Sequence, residues 1–501
     1  MSKRHSIFSL VLLTLALGTS RAQDSSSPQS PAATPDSAQQ PETPPVPAFG
    51  QENPPPPVSE NPPISGIDQP GLEPHAAPLS YLQPGLHLTE SADSNIANTL
   101  GGGSSLHSVT RALGSLTLQR LWSNYKLALD FVGGAGYYSQ RRIGFQQLEQ
   151  LDVDQRITWK RGQLGVRDSF SYLPEGNFGA AYGSLGGLGA ALGGGASAGQ
   201  NVFLGGSQFG SLAQVPRIMN LSLVDVVENL TPRSSVTLTG GYGFVHFTGK
   251  AVDVLTGNQP SARFLGSTQV SAQAGYNRIL GPHDQAALTY GYQGFNFSVS
   301  GLAFHSHVVQ LMWGHRISGR MDLLIAAGPQ ITALNFGTGR DLRVSVAGRA
   351  ELRYRFQKAL VSVAFDRYIT SGSGFFPGAQ SDIARLSVKR PLGRVWDGFV
   401  DLGYARNRRE QTLTAAQRVL CALSSTQCPG VIANTYSYGF AGLGVHRMLG
   451  RDFHAFASYQ FNYLTFDSSF CGAGFPACNR IAQRHVGTIG IDWTPRPMRL
   501  D

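Results

Sequence analysis

Beyond its first 22 residues the chain has no run of about 20 apolar residues, so no helix after them is expected to span a bilayer. Charge is scarce as well: Asp, Glu, Lys and Arg make up 14% of the 501 residues, against about 25% in ordinary soluble domains. Cysteine occurs four times, too few for a disulfide-built fold of this length. The apolar period of 3.6 that marks amphipathic helices is missing throughout. Glycine is plentiful instead, at 60 residues. Few charges, much glycine and no apolar block suit a β-protein whose hydrophobicity is dispersed by alternation.

Residues 1–22, "MSKRHSIFSLVLLTLALGTSRA", open with a basic stretch, continue through an apolar segment from Ile7 to Leu17 and end on small residues. That order predicts a secretory signal peptide cut after Ala22. Export permits disulfides. Cys421 and Cys428 share one spacing with Cys471 and Cys478, and both pairs sit in stretches without alternation. Two local loop-closing disulfides are expected, Cys421 with Cys428 and Cys471 with Cys478. Zinc sites use tighter spacing within each pair, so no metal is expected.

Residues 23–80 hold 16 of the 29 prolines, seven acidic residues and neither lysine nor arginine. Such a segment buries too little apolar surface to offset its chain entropy, so a disordered, acidic, Pro-rich arm is expected. The remaining residues, 81–501, carry a net charge of +13.

From about Gln83 the period is two. In "DLRVSVAGRAELRYRF", Leu342, Val344, Val346, Leu352, Tyr354 and Phe356 fall on one face, and Arg343, Arg349, Glu351, Arg353 and Arg355 on the other. "FHAFASYQFNY" alternates likewise except at Phe456, and "VVQLMWGHR" except at Met312. Tight turns are predicted near Ser123–Asn124, Arg161–Gly162, Pro232–Arg233, Gly281–Asp284, Ser318–Arg320, Gln357–Lys358, Leu392–Arg394 and Leu449–Arg451. Eight hairpins, a first strand near Gly85–Asn95 and a last one ending at Trp493 give 18 strands, or 16 if weakly patterned stretches fail.

Strands of about twelve residues, short turns at one rim and longer Gly/Ser/Asn-rich connections at the other are the habit of membrane barrels. Hydrocarbon offers backbone groups no partner, and only a closed sheet leaves none unpaired. A charge on the lipid face near the midplane costs about 2–4 kcal/mol, so the four arginines of one strand must face the bore. The fold class expected is all-β: a transmembrane antiparallel β-barrel over residues 81–501.

On these features, from Gln83 to Trp493, the chain resembles the Gram-negative outer-membrane β-barrel proteins, in particular the β-barrel porin families. The tail "TPRPMRLD" after Trp493 departs from their habit of ending on an aromatic residue. The resemblance implies an outer-membrane, porin-like channel for passive diffusion of small hydrophilic solutes, with its N-terminal arm in the periplasm. Its expected partners are outer-membrane lipid and those solutes, with a homo-oligomer left open. Three roles stand open for the acidic arm: a plug drawn into the basic bore, a reach to another envelope component, or a simple spacer.

Arg316, Arg343, Arg349, Glu351, Arg353, Arg355, Arg385 and Lys389 are the expected pore-lining residues. Either the basic ones favour anions, or they pair with Glu351, Asp366 and Asp401 and brace the wall. A barrel for polysaccharide export or envelope organisation, without an open pore, is the alternative function.

Enzymatic sites are thin. His305 and His307 share a face that Ser306 does not, which disfavours a nucleophile–base pair, so neither catalysis nor a cofactor is expected. The Gly-rich stretch near Gly183–Gly206 lacks the Lys–Ser/Thr pair of a phosphate loop and reads as a surface loop that could fold inward. Basic residues alternate within strands rather than form an exposed stripe, which argues against nucleic acid.

Overall fold

The computed structural model describes residues 63–65, 80–96, 100–101, 106–139, 144–173, 216–248, 266–297, 302–336, 339–372, 378–410, 433–470 and 479–500. Residues 1–22, expected to be a signal peptide, nearly all of residues 23–80, expected to be a disordered arm, and the Gly183–Gly206 stretch lie outside them. So do Cys421, Cys428, Cys471 and Cys478, and with them both of the expected disulfides. Residues 53–501 form one compact unit.

The strands, in chain order, are β1 (Tyr81–Asp93), β2 (His107–Leu121), β3 (Tyr125–Tyr138), β4 (Gly144–Trp159), β5 (Gly162–Leu173) and β6 (Arg217–Thr231). Then come β7 (Ser234–Phe247), β8 (Ser267–Ile279), β9 (Asp284–Phe297), β10 (Leu302–Ser318), β11 (Met321–Phe336) and β12 (Gly339–Arg355). The last third comprises β13 (Leu360–Thr370), β14 (Ala379–Pro391), β15 (Trp396–Arg409), β16 (Thr435–Met448), β17 (Phe453–Phe466) and β18 (Ile481–Trp493). Each pairs antiparallel with its neighbours in sequence, and β1 pairs with β18 from Leu86↔Trp493 to Asp93↔Val486. The sheet is therefore a closed 18-stranded barrel with no free edge.

All eight tight turns fall where the sequence places them, one at the short-turn end of every hairpin from β2–β3 to β16–β17. Connections at the opposite rim are uneven. Residues 174–216 separate β5 from β6, yet only 337–338 separate β11 from β12. The tail after Trp493 does more than the porin pattern predicts: Met498–Arg499, a short β19, pairs with Tyr81 and Leu82 of β1.

Alternation decides which face meets which medium. On β12, Leu342, Val344 and Val346 are 61%, 73% and 58% exposed, while Arg349 and Glu351 are buried. Leu311, Leu88 and Ile489 repeat this on β10, β1 and β18. An exterior of exposed aliphatic side chains around a whole barrel is a lipid-facing surface. No described helix is long and apolar enough to cross a membrane.

The interior is less uniformly polar than strict alternation implies. Tyr436, Tyr438 and Phe440 of β16, with Leu464 and Phe466 of β17 and Phe470 beyond it, form a buried aromatic cluster. Phe295, Phe297, Leu302, Phe304, Leu334 and Ile369 form a second near the long-loop ends of their strands. Glycines on adjoining strands make room for inward rings. A Cβ at Gly403 would overlap the ring of Phe440, and one at Gly490 would lie 2.5 Å from that of Phe456. Phe456, an exception to its strand's alternation, is buried on the inner wall beside His446, with ring centroids 5.6 Å apart.

Candidate channel lumen

Period two puts Arg349, Glu351 and Arg353 on one face of β12, so their side chains meet along the strand. Arg349 donates to Glu351 at 2.9 Å, and Arg353 donates to the other Glu351 oxygen at 2.7 Å. Asp366, the β13 residue opposite Arg349, lies 3.6 Å from its guanidinium. Two cations thus enclose two carboxylates on the inner wall.

The other expected pore-lining residues are dispersed. Arg385 of β14 grips Asp401 of β15 through two hydrogen bonds, at 3.0 and 2.8 Å. Arg316 pairs with Asp322 at 3.3 Å, and both line a cleft with Glu351 and Arg353. Arg343 lies near the opposite end of the bore, 3.3 Å from Asp341 and 3.6 Å from Glu410. Burial lifts the Glu410 carboxyl above the usual carboxylate range, against the pull of Arg343. Arg355 and Lys389 stand at the short-turn ends of β12 and β14. Arg343 and Arg355 are thus about 40 Å apart along one strand. The basic residues are spread along the height of the barrel, with Arg316, Arg343, Arg349, Arg353 and Arg385 each paired to a carboxylate, rather than gathered in one ring.

Polar residues complete the wall. Gln269, Gln273, Asn277, Thr289, Gln293, Ser306, Gln310, Gln330 and Thr332 are all buried, on the faces opposite the exposed aliphatics. Ser306 accepts hydrogen bonds from Gln330 at 2.8 Å and Thr332 at 3.3 Å. His305 and His307 face the other way and bond the hydroxyls of Tyr292 and Tyr290, at 2.7 and 2.8 Å. Serine and histidines are thus on opposite faces of the wall.

Sequence reasoning leaves open that the arm enters the bore but does not single out which of its residues do. Pro63–Ser65, from the segment expected to be unstructured, lie against the inner wall, with Ile64 and Ser65 fully buried. Ile64 packs on Ala287, Met312 and Ala326, with Leu324 beside them. The signal was Met312. An apolar residue out of phase with its strand marks an apolar spot on an otherwise polar wall, and such a spot needs cover.

No family model matches the chain, and no curated protein matches it. Among solved structures it is similar to OccK2 (OpdF) of Pseudomonas aeruginosa in complex with glucuronate, at 9% identity and a TM-score of 0.41, covering 83% of this chain and 98% of that one. OccAB3 of Acinetobacter baumannii matches at 9% identity and a TM-score of 0.40, covering 83% and 99%. The outer membrane protein OpdK of Pseudomonas aeruginosa matches at 9% and 0.40, covering 83% and 98%. The transmembrane barrel itself rests on the strand pairings and the exposed aliphatic exterior.

Proposed function

We propose that the protein is a porin-like channel in the outer membrane of a Gram-negative bacterium, passing small hydrophilic solutes by passive diffusion. The observation that carries this reading is the two-sided wall of an 18-strand barrel, aliphatic outside and hydrogen-bonding inside. A barrel of this strand number is wide enough for an aqueous bore. Arg316, Arg349, Arg353 and Arg385 each have a carboxylate partner. Pairing cancels much of the field that would select anions, so these arginines brace the wall and the channel discriminates weakly by charge.

The test is conductance of the purified protein in planar bilayers under a salt gradient. Discrete steps with a reversal potential near zero are expected; a barrel that inserts without any current overturns the channel reading. The buried aromatic clusters at the long-loop end favour one rival, a sealed barrel serving polysaccharide export or envelope organisation. That rival predicts the silent outcome.

A further inference from the structure

Ser65 comes from a proline-rich stretch with little reason to stop anywhere, yet each of its polar groups has a partner on the barrel wall. Its backbone N–H donates to Asn277 Oδ1 at 3.1 Å, and Gln273 Nε2 donates to its carbonyl oxygen at 2.8 Å. Its hydroxyl accepts from Asn277 Nδ2 at 2.6 Å and lies 2.6 Å from the hydroxyl of Thr237. Backbone groups are read as well as the side chain, so the seat holds a peptide segment rather than a free hydroxyl compound.

The wall is shaped for this occupant. Gly275 lies on the inner face of β8, where a Cβ would come within 2.6 Å of Ser65 Cβ. A Cβ at Gly314 on β10 would lie 3.3 Å from Ile64 Cγ2. Ile64 covers the apolar spot formed by Ala287, Met312 and Ala326, which water in an open bore would otherwise wet. Asn277 and Gly314 are each a few residues from a tight turn, which places the seat near the short-turn rim. Three residues make a small contact, but β1 begins at Tyr81, so the segment is tethered. A short tether gives an effective concentration on the order of millimolar, which suffices to fill a weak site.

We propose that the inner wall of β7–β11 is a binding site for residues 63–65 of the chain's own arm, and that the seated arm narrows the bore at its short-turn end. The narrowing rests on the channel reading above; the seating does not. The arm is then a tethered plug rather than a spacer. Its attachment depends on shape and hydrogen bonds and not on the opposite charges of arm and barrel, so high salt leaves it in place.

The test uses the full chain carrying Ser65→Cys and Thr237→Cys, whose hydroxyl oxygens are within bonding distance of each other. Mild oxidation should join residues 65 and 237, identified as a linked peptide pair by mass spectrometry. Single-channel conductance of the oxidised form should be at most half that of the reduced form. Gly275→Val, which places a side chain where Ser65 lies, should conduct at least twofold better than the unaltered protein. Failure of the 65–237 link to form overturns the seat. Equal conductance of oxidised, reduced and Gly275→Val proteins overturns the plug. Absence of current from every form overturns the channel reading instead, and the yield of the link still decides whether the seat is filled.

Discussion

Asp93 and Arg484 are 391 residues apart in sequence, yet Arg484 donates two hydrogen bonds to one Asp93 oxygen, at 2.9 and 2.5 Å. They stand on β1 and β18, the two strands that close the barrel, and both are buried. The other oxygen of Asp93 accepts from the backbone N–H of Asn95 at 3.0 Å, which holds the carboxylate in place for the guanidinium. The pair is a clasp on the closing seam. In a double-mutant cycle with Asp93→Ala and Arg484→Ala, a coupling of about 1–3 kcal/mol is expected. Urea unfolding midpoints of the detergent-folded barrel report it, and simple additivity would show that the seam holds without the clasp.

The lipid-facing parity of β12 gives a sharper contrast. Val344→Arg and Val346→Arg put a guanidinium on the aliphatic exterior, each at a cost of about 2–4 kcal/mol near the midplane. Ser345→Arg, between them on the inner face, should cost far less. Refolding yields into lipid vesicles measure the difference. Equal yields from all three would mean that the two faces of this strand do not see different media.

These parities are legible in the sequence alone. A strand's period of two is local, and so is a tight turn, so the barrel, its eight hairpins and its lipid face can all be taken from neighbouring residues. What depends on distant residues is legible there only in part: Glu351, Asp366 and Asp401 stand out as carboxylate partners, but not which arginine each one takes. The partner of Arg349 across the wall depends on register between β12 and β13, which pairs it with Asp366 rather than with another polar residue nearby. Register also decides that Arg385 grips Asp401. Ile64 and Ser65 are invisible for a related reason. Their partners are more than 170 residues away, and composition marks their surroundings as unable to fold alone. Met312 and Phe456, which break the alternation, are local traces of interior contacts, and both are buried on the inner wall.

Packing of inward rings over glycine leads to a third expectation. A side chain at Gly403 would overlap Phe440, and one at Gly490 would overlap Phe456. Gly403→Val and Gly490→Val should each destabilise the barrel by about 1–3 kcal/mol through overpacking. Adding Phe440→Leu to Gly403→Val should recover much of that loss, because it removes the ring the valine meets. The urea midpoint of the double variant decides this: no recovery would mean that the glycine serves the backbone and not the ring.

The Arg349 cluster separates bracing from selection. Removing its guanidinium leaves Glu351 with Arg353 alone and Asp366 without its nearest cation, both on a buried part of the wall. Breaking a buried pair in this way costs about 3–5 kcal/mol, because a carboxylate stays behind unpaired. Arg349→Ala should therefore lower the unfolding midpoint strongly. The triple variant Arg349→Met, Glu351→Gln, Asp366→Asn removes the charges together and should be far more stable than Arg349→Ala. If the arginine braces the wall, the reversal potential of Arg349→Ala in a salt gradient should differ little from that of the unaltered channel. If it selects anions, that reversal potential should move towards cations while the unfolding midpoint of Arg349→Ala barely changes. That opposite pattern would return the cluster to the role of a filter.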